Sequence, residues 1–304
     1  MSLSFPPEHR GVVVPMVTPV TTNGALDERA ADRLIESLVK AGVNAIFVAG
    51  TTGESAGVPR PVRRRLVECT VATVRRRVLV YAGLGDLYPD EISAGNEYLR
   101  AGADAVVARP PVSFPPQQLL PWFRSVLAGL EGPVLLYNIP ATTNVSIPLT
   151  VVDQLVGNPK LVGLKDSEND PARLEEVLEK FGDRPQFSVL IGVGSFMLPG
   201  LRRGAEGIVP SVANLIPDVC QRFYESARRG NWEQAERHLS RMSAVTELYQ
   251  KGRILSESLA VLKTALAFRG LCGPDVLPPL HPLSQLERNA LRKQMLALHL
   301  LEET

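Results

Sequence analysis

The chain reads as an α/β protein, a (β/α)8 TIM barrel with a C-terminal helical extension. Short apolar runs alternate with longer amphipathic stretches, eight such runs precede residue 212, and one helix-to-strand junction recurs along the chain. The runs are Val12 to Val17, Ala45 to Ala49, Val78 to Tyr81, Ala105 to Ala108, Val134 to Tyr137, Leu161 to Leu164, Phe187 to Ile191 and Gly207 to Val209. They are rich in β-branched residues and do not alternate apolar with polar, as expected of parallel strands covered on both faces.

Between the first two runs, Asp27 to Lys40 places Ala30, Ala31, Leu34, Ile35, Leu38 and Val39 at helical spacing, and Gly42 follows as a stop. The junction Gly42-Val43-Asn44-Ala45-Ile46 returns as Gly102-Ala103-Asp104-Ala105-Val106 and as Gly204-Ala205-Glu206-Gly207-Ile208. A junction used repeatedly implies a repeated βα unit, and eight such units close into a barrel. An open doubly wound sheet also alternates, but it wants a GxGxxG after an early strand, and Gly83-Leu84-Gly85 lacks the third glycine. After Asn214 the strands stop, and Pro217 to Arg229, Trp232 to Gln250, Glu257 to Arg269 and Ser284 to Glu302 read as helices. The last opens with Ser284-x-x-Glu287, the pattern of a capping box. The expected division is a barrel over residues 1–214 and a helical extension packed on it over 215–304. The triplets Arg63-Arg64-Arg65 and Arg75-Arg76-Arg77 are expected to spread around a helix as a solvated outer face.

Composition narrows the function. With 304 residues, 45% hydrophobic, the chain can bury a large core. Lys+Arg 33 against Asp+Glu 32 leaves a net charge of +1, which provides no field to gather nucleic acid or an anionic membrane. Cys69, Cys220 and Cys272 are far apart and read as buried apolar residues, and His9, His238, His281 and His299 have no metal-ligand spacing, so no metal and no cofactor is expected. Met1 to Arg10 has no apolar core of the kind a signal peptide needs, and no run reaches the ~20 residues of a membrane span, so the cytoplasm is the expected compartment.

In such a barrel the reactive groups stand at the C-terminal ends of strands. The second strand runs into Gly50-Thr51-Thr52-Gly53-Glu54, the fifth ends at Tyr137-Asn138-Ile139-Pro140, the sixth at Lys165-Asp166-Ser167 and the seventh at Gly192. Lys165 is one of seven lysines and directly follows an apolar run, so its stem starts inside the barrel. Burial penalises an ammonium ion, and a neutral amine attacks a ketone to form an imine. A lysine snorkelling to solvent is the bland reading of position alone. Tyr137 ends the adjacent strand, where its phenol suits proton transfer at the same mouth. Glycines let the backbone approach a ligand, and the hydroxyls of Thr51 and Thr52 with nearby amides can hold a carboxylate without a cation. Amine, phenol and carboxylate clamp together suit a 2-oxo acid.

These motifs resemble the dihydrodipicolinate synthase/N-acetylneuraminate lyase family of Schiff-base aldolases. The resemblance covers nearly the whole chain: Thr18-Pro19 with Gly24 and Asp27, Gly50-Thr51-Thr52-Gly53-Glu54, Gly102-Ala103-Asp104-Ala105, Tyr137-Asn138-Ile139-Pro140, Gly163-Leu164-Lys165-Asp166-Ser167, and Lys263 with Pro282-Leu283. It implies a (β/α)8 barrel with a helical extension, commonly a homotetramer, with pyruvate held as an imine on Lys165. It further implies that Tyr137 carries protons, that Thr51, Thr52 and Gly53 form the carboxylate turn, and that backbone near Gly192 and Val209 lines the imine.

Three departures bear on the substrate. In the synthases of this family an arginine two residues after the Tyr-Asn-x-Pro proline binds the acceptor's carboxylate, and here that position is Thr142. A hydroxyl does not replace charge-assisted guanidinium bonds worth roughly 1.5 to 3 kcal/mol each. The family's usual glycine two positions on is Asn144, a residue tolerant of left-handed backbone. The Pro-Tyr-Tyr or Pro-Phe-Tyr that commonly follows strand four is Pro110-Pro111-Val112-Ser113-Phe114, so proton delivery falls to Thr51, water or another group.

The leading expectation is a lyase that splits a 2-keto-3-deoxy sugar acid or a 4-hydroxy-2-oxo acid into pyruvate and an aldehyde, or runs the reverse. Sialic acid is a less favoured substrate. A dehydratase of the same acids is the second enzyme reading, since an imine also acidifies C3. The dihydrodipicolinate synthase reaction is disfavoured by Thr142, and a barrel that only binds a 2-oxo acid is the non-enzyme alternative. The positions matching the lysine-feedback site of the synthases are Arg60, Arg63 and Pro111. Lysine is therefore expected to leave activity unchanged, and inhibition of the purified protein by lysine would refute this.

Overall fold

The structure, a computed structural model, describes residues 9–85 and 90–302. The segment Met1 to Arg10, expected not to be a signal peptide, therefore lies up to Glu8 outside the described residues. The first half of the barrel is β1 (Gly11–Pro15), α1 (Glu28–Lys40), β2 (Ala45–Val48), α2 (Arg60–Val74), β3 (Leu79–Gly83), α3 (Asp90–Ala101), β4 (Ala105–Ala108) and α4 (Leu119–Gly129). The second half is β5 (Val134–Asn138), α5 (Pro140–Thr143), α6 (Leu149–Leu155), β6 (Leu161–Asp166), α7 (Pro171–Phe181), β7 (Ser188–Ile191), α8 (Met197–Arg202), β8 (Gly207–Ile208) and α9 (Pro217–Arg228). Three more helices follow, α10 (Trp232–Gln250), α11 (Leu255–Phe268) and α12 (Gln285–Ala297). The eight strands pair in chain order, all parallel, and β1 closes on β8. Among the described residues no helix is long and apolar enough to cross a membrane.

Each strand is apolar on both faces, yet its residues divide with period two. Val13, Ala45, Phe47, Tyr81, Ala105, Val107, Leu135, Tyr137, Leu190 and Val209 belong to one cluster inside the barrel. Their neighbours Val12, Val14, Ile46, Val48, Val80, Val106, Leu136, Leu164 and Ile191 pack outward against the helices in a second, larger core. Parallel strands covered on both sides produce this pair of cores. The interior is narrow enough to exclude side chains in places: a Cβ on Gly163 would lie 2.3 Å from the Ser188 carbonyl oxygen.

Several expected boundaries shift for local reasons. Asp27 sits outside α1 as its cap, accepting from Ala30 N–H at 3.0 Å. β3 runs on to Gly83, and β6 takes in Lys165 and Asp166. The final helix stops at Ala297, short of Glu302. His299 turns left-handed with φ 50°, and the Leu300 N–H returns to the Met295 carbonyl at 2.9 Å, the pairing that ends a helix. Its start follows the capping box: Glu287 N–H donates to Ser284 Oγ at 3.4 Å and Ser284 N–H to Glu287 Oε2 at 2.7 Å.

The arginine triplets are a correction. Arg63 is buried, in a two-bond pair with Glu91 at 2.6 and 2.9 Å, while Arg64 and Arg65 reach Glu68 and Glu28 at the surface. Arg75 and Arg76 are not helical at all, because the chain leaves α2 with φ 50° and 60° at these two positions. The cysteines are free and buried, as read.

One side chain ties the end of β1 to the loop that follows β8. Asn214, 1% exposed, accepts from Val17 N–H at 3.1 Å and donates to the carbonyls of Pro15 and Ser211 at 2.9 Å each. Asn214→Ala takes this partner from two buried backbone groups, the Val17 N–H and the Pro15 carbonyl, and from the part-buried Ser211 carbonyl. At about 1–3 kcal/mol for each group left unpaired, the urea midpoint should fall markedly with the denaturant slope unchanged. An unaltered midpoint would contradict this role.

Candidate active site

The register of β5 on β6 builds the centre of the site. Tyr137 lies opposite Lys165, and Asn138 opposite Asp166. Lys165 is 5% exposed, with Nζ 3.7 Å from the centroid of the Tyr137 ring and 5.1 Å from that of Phe47. The two rings meet edge-on at 6.3 Å. The amine thus sits inside the barrel among apolar and aromatic groups, on the level of the phenol-bearing strand end. Ring faces attract its charged form when it carries a proton.

Phe47 joins this centre to the glycine turn. A Cβ on Gly50 would lie 2.7 Å from the Phe47 ring, so only glycine lets the chain pass there. Thr51–Gly53 then forms one 3-10 turn, with Thr51 and Thr52 half-buried and Gly53 buried. It is flanked by two non-glycine residues in left-handed backbone, Ala49 (φ 55°) and Glu54 (φ 60°). Such conformations cost about 1–3 kcal/mol each and persist only where neighbours hold them. Gly53 is held by Thr18 Oγ1, which donates to its carbonyl at 2.6 Å.

The residues following Tyr137 and Lys165 face the other way, into a buried polar cluster. Asn138 donates to both Asp166 carboxylate oxygens at 3.1 and 3.2 Å and to Glu168 Oε2 at 2.9 Å, and accepts from Ile147 N–H at 2.9 Å. Arg173 of α7 donates through Nε to Asp166 at 2.8 Å, and Ser146 donates to Glu168 at 2.6 Å. Burial pushes the Asp166 carboxyl above its ordinary range, against the pull of Arg173. The cluster locks the ends of β5 and β6 together from behind.

The ends of β7 and β8 are tied to their neighbours through backbone. Gly192 N–H donates to the Asp166 carbonyl at 2.7 Å, and Val209 N–H to that of Ile191 at 2.8 Å. Val209 shares the interior cluster with Tyr137. Beside Gly192 opens a cleft of about 510 Å³ whose polar lining includes Asn169, Ser195, Ser211, Ser243, Thr246 and Gln250, so α10 supplies one wall. Its one acidic group, Glu247, is paired with Lys251 at 2.8 Å.

Thr142 stands on α5, its hydroxyl turned back on the Ile139 carbonyl at 3.4 Å. Asn144 adopts the left-handed φ of 57° that the sequence anticipates. The segment where a tyrosine is missing is pinned by Ser113 N–H to the Thr143 carbonyl at 2.7 Å and leaves Val112 51% exposed. Lys165, Tyr137, Val209 and the Gly50 turn are brought together through Phe47, while Thr142 lies at the rim. Sequence reasoning did not give Phe47, Asn138, Asp166 or Arg173 a role. The signal available was two-residue alternation from the strand ends, which puts Phe47 inward and Asp166 outward.

A model of the dihydrodipicolinate synthetase family matches residues 8–298. The chain is 33% identical to the 4-hydroxy-tetrahydrodipicolinate synthase of Phenylobacterium zucineum, over 93% of this chain and 95% of that protein. It is 34% identical to the enzyme of the same name from Hyphomonas neptunium, over 89% and 92%. Among solved structures, dihydrodipicolinate synthase from Bacteroides thetaiotaomicron superposes with a TM-score of 0.90 at 30% identity, covering 95% of this chain and 98% of that one. YagE, a prophage protein from E. coli K12 in complex with pyruvate, gives a TM-score of 0.89 at 27% identity, covering 96% and 99%.

The outward cluster makes a testable demand. Asn138→Ala leaves Lys165 and Tyr137 in the chain but frees Asp166, Glu168 and Ile147. The rate at which pyruvate and borohydride modify the protein should fall roughly tenfold to a hundredfold, as for a slightly misplaced reacting group. A wild-type rate would show that the strand ends need no such lock.

Proposed function

The chain belongs to the dihydrodipicolinate synthetase family, and on that premise we propose that it is a pyruvate-dependent class I aldolase or lyase whose imine forms on Lys165. The observation that carries this reading is the buried Lys165 amine, 3.7 Å from the ring of Tyr137 inside the barrel. The neutral amine attacks C2 of the 2-oxo acid, and loss of water from the carbinolamine leaves an imine. Tyr137, having given its phenolic proton to the hydroxyl that leaves the carbinolamine as water, takes the proton of the substrate's C4 hydroxyl as the C3–C4 bond breaks and then returns it to C3. The electron pair of that bond passes into the imine, giving an enamine, and the aldehyde departs. Protonation at C3 and hydrolysis by water release pyruvate and the free lysine. Thr51, Thr52 and the amides of their turn hold the carboxylate throughout.

The preferred acceptor is the neutral, polyhydroxylated aldehyde of a 2-keto-3-deoxy sugar acid, or that of a 4-hydroxy-2-oxo acid. Thr142 offers a hydroxyl and no charge to a second carboxylate. A neutral hydroxyl at this position suits a hydroxyl of the acceptor better than a carboxylate that needs a cation. The synthase reaction, with aspartate semialdehyde as acceptor, is the second reading. It is favoured by the activity for which the relatives are named.

Borohydride added with pyruvate should inactivate the protein and leave a reduced adduct on the peptide containing Lys165, and Lys165→Ala should abolish it. No adduct in the wild type would remove the imine mechanism. Pyruvate release should then be measured across a panel of keto-deoxy acids. Aldehyde plus pyruvate indicates cleavage, and an intact carbon skeleton indicates dehydration. Efficient condensation of pyruvate with aspartate semialdehyde would establish the synthase reading instead.

A further inference from the structure

The carboxylate turn is anchored from a distant part of the chain. Glu54, which closes the turn in left-handed backbone, is fully spent on residues beyond the last strand. Its Oε1 accepts from Lys263 Nζ of α11 at 2.7 Å, and its Oε2 accepts from the Leu277 N–H at 2.7 Å. The two side chains of the pair are 1% and 0% exposed. The same segment crowds the turn's far end: a Cβ on Gly57 would lie 3.1 Å from the Pro278 carbonyl oxygen and 3.5 Å from Leu277 Cβ. Val20, Val58 and Leu277 close a small apolar cluster around it. On the opposite side, Thr18 holds the Gly53 carbonyl. The turn is therefore gripped both from the loop after β1 and from the helices that follow the barrel.

A buried ion pair of this kind is poor evidence for stability, since well-packed apolar residues of similar volume often do as well. What an apolar pair would not do is fix the left-handed backbone at Glu54 by holding both carboxylate oxygens. That backbone sets the direction of the Thr51 and Thr52 hydroxyls and of the turn's amides. We propose that Glu54 and Lys263 are positioning residues for the pyruvate carboxylate, which makes α11 part of the substrate-binding apparatus. This rests on the reading of Thr51 to Gly53 as the carboxylate clamp.

The test follows trapping by borohydride at varied pyruvate concentration, a readout that needs no acceptor. In Lys263→Met, the half-saturating pyruvate concentration should rise about tenfold while the trapping rate at saturation stays within about threefold, the pattern of lost uniform binding. The doubly neutral E54Q/K263M keeps an acceptor for Leu277 N–H but loses the tie to α11. It carries the test if the single variant does not fold, and its half-saturating concentration should also rise. A lowered melting temperature with unchanged half-saturation in the folded variant, or a fall in the saturating rate alone, would overturn the proposal. Thr51→Val separates the two levels of the argument. Unchanged half-saturation there overturns the clamp reading and the inference with it, whereas a rise there without one in the Lys263 variants overturns the inference alone.

Discussion

The barrel mouth depends on one extra residue in β6. Val134 pairs with Leu161, but the next pair is Leu135 with Gly163, so Val162 has no partner across the β5–β6 ladder. Leu161 packs outward against the helices. With strict alternation from there, Lys165 would also point outward and Leu164 would point in. The irregularity inverts the order, since a one-residue slip moves every following side chain to the other face. Gly163, the first residue turned inward after it, stands where the Ser188 carbonyl leaves no room for a side chain. A local distortion at the base of the strand thus decides where the amine at its tip points.

The same alternation separates two kinds of polar burial. On the inner face the Lys165 amine is set beside the rings of Tyr137 and Phe47. On the outer face Asp166 is saturated by Asn138, Arg173 and the Glu168 N–H. An unpaired buried polar group is costly, while a satisfied network makes the structure rigid. The outer-face groups hold together the two strand ends that carry Tyr137 and Lys165. The Asn214 clamp and the Glu54–Lys263 pair repeat this arrangement at other strand ends, with buried polar groups spent on fixing backbone at the mouth.

Most of the architecture was legible in the sequence because parallel strands covered on both faces leave continuous apolar runs, and because the Gly42, Gly102 and Gly204 junctions repeat. Lys165, Tyr137 and the Gly50 turn were legible as strand-end residues. What escaped depends on partners remote in sequence. Arg63 looks like one member of a charged run until Glu91, a helix away, buries it. Arg75 and Arg76 lie in a left-handed exit from α2 that a run of arginines does not announce. Glu54 and Lys263 are visible as letters of two separate motifs, and only the fold brings them within 2.7 Å. The bulge at Val162 leaves no mark in composition, for Leu-Val-Gly-Leu reads as a plain strand in either register.

The division between strands and loops also explains why the chemistry is more legible than the substrate. Lys165 and Tyr137 are strand residues, fixed by ladders that any barrel of this register must form. The positions at which the sequence departs from the family pattern lie in loops: Thr142 on α5, and the segment from Pro110 to Phe114 after β4. These two loops are laced together, with Ser113 and Asn144 both in left-handed backbone and the Ser113 N–H bonded to the Thr143 carbonyl. They respond to a substitution as one unit, so a guanidinium at 142 would have to be seated by residues of both loops. Loops of this kind vary while the scaffold persists, and function resides in the site and not in the fold. The Thr51–Gly53 turn falls between these extremes. It is a loop in sequence but, gripped from Thr18 and from Lys263, it is held nearly as firmly as a strand. Under the proposed function, that asymmetry places the pyruvate carboxylate alike in every turnover while the rim loops set the acceptor.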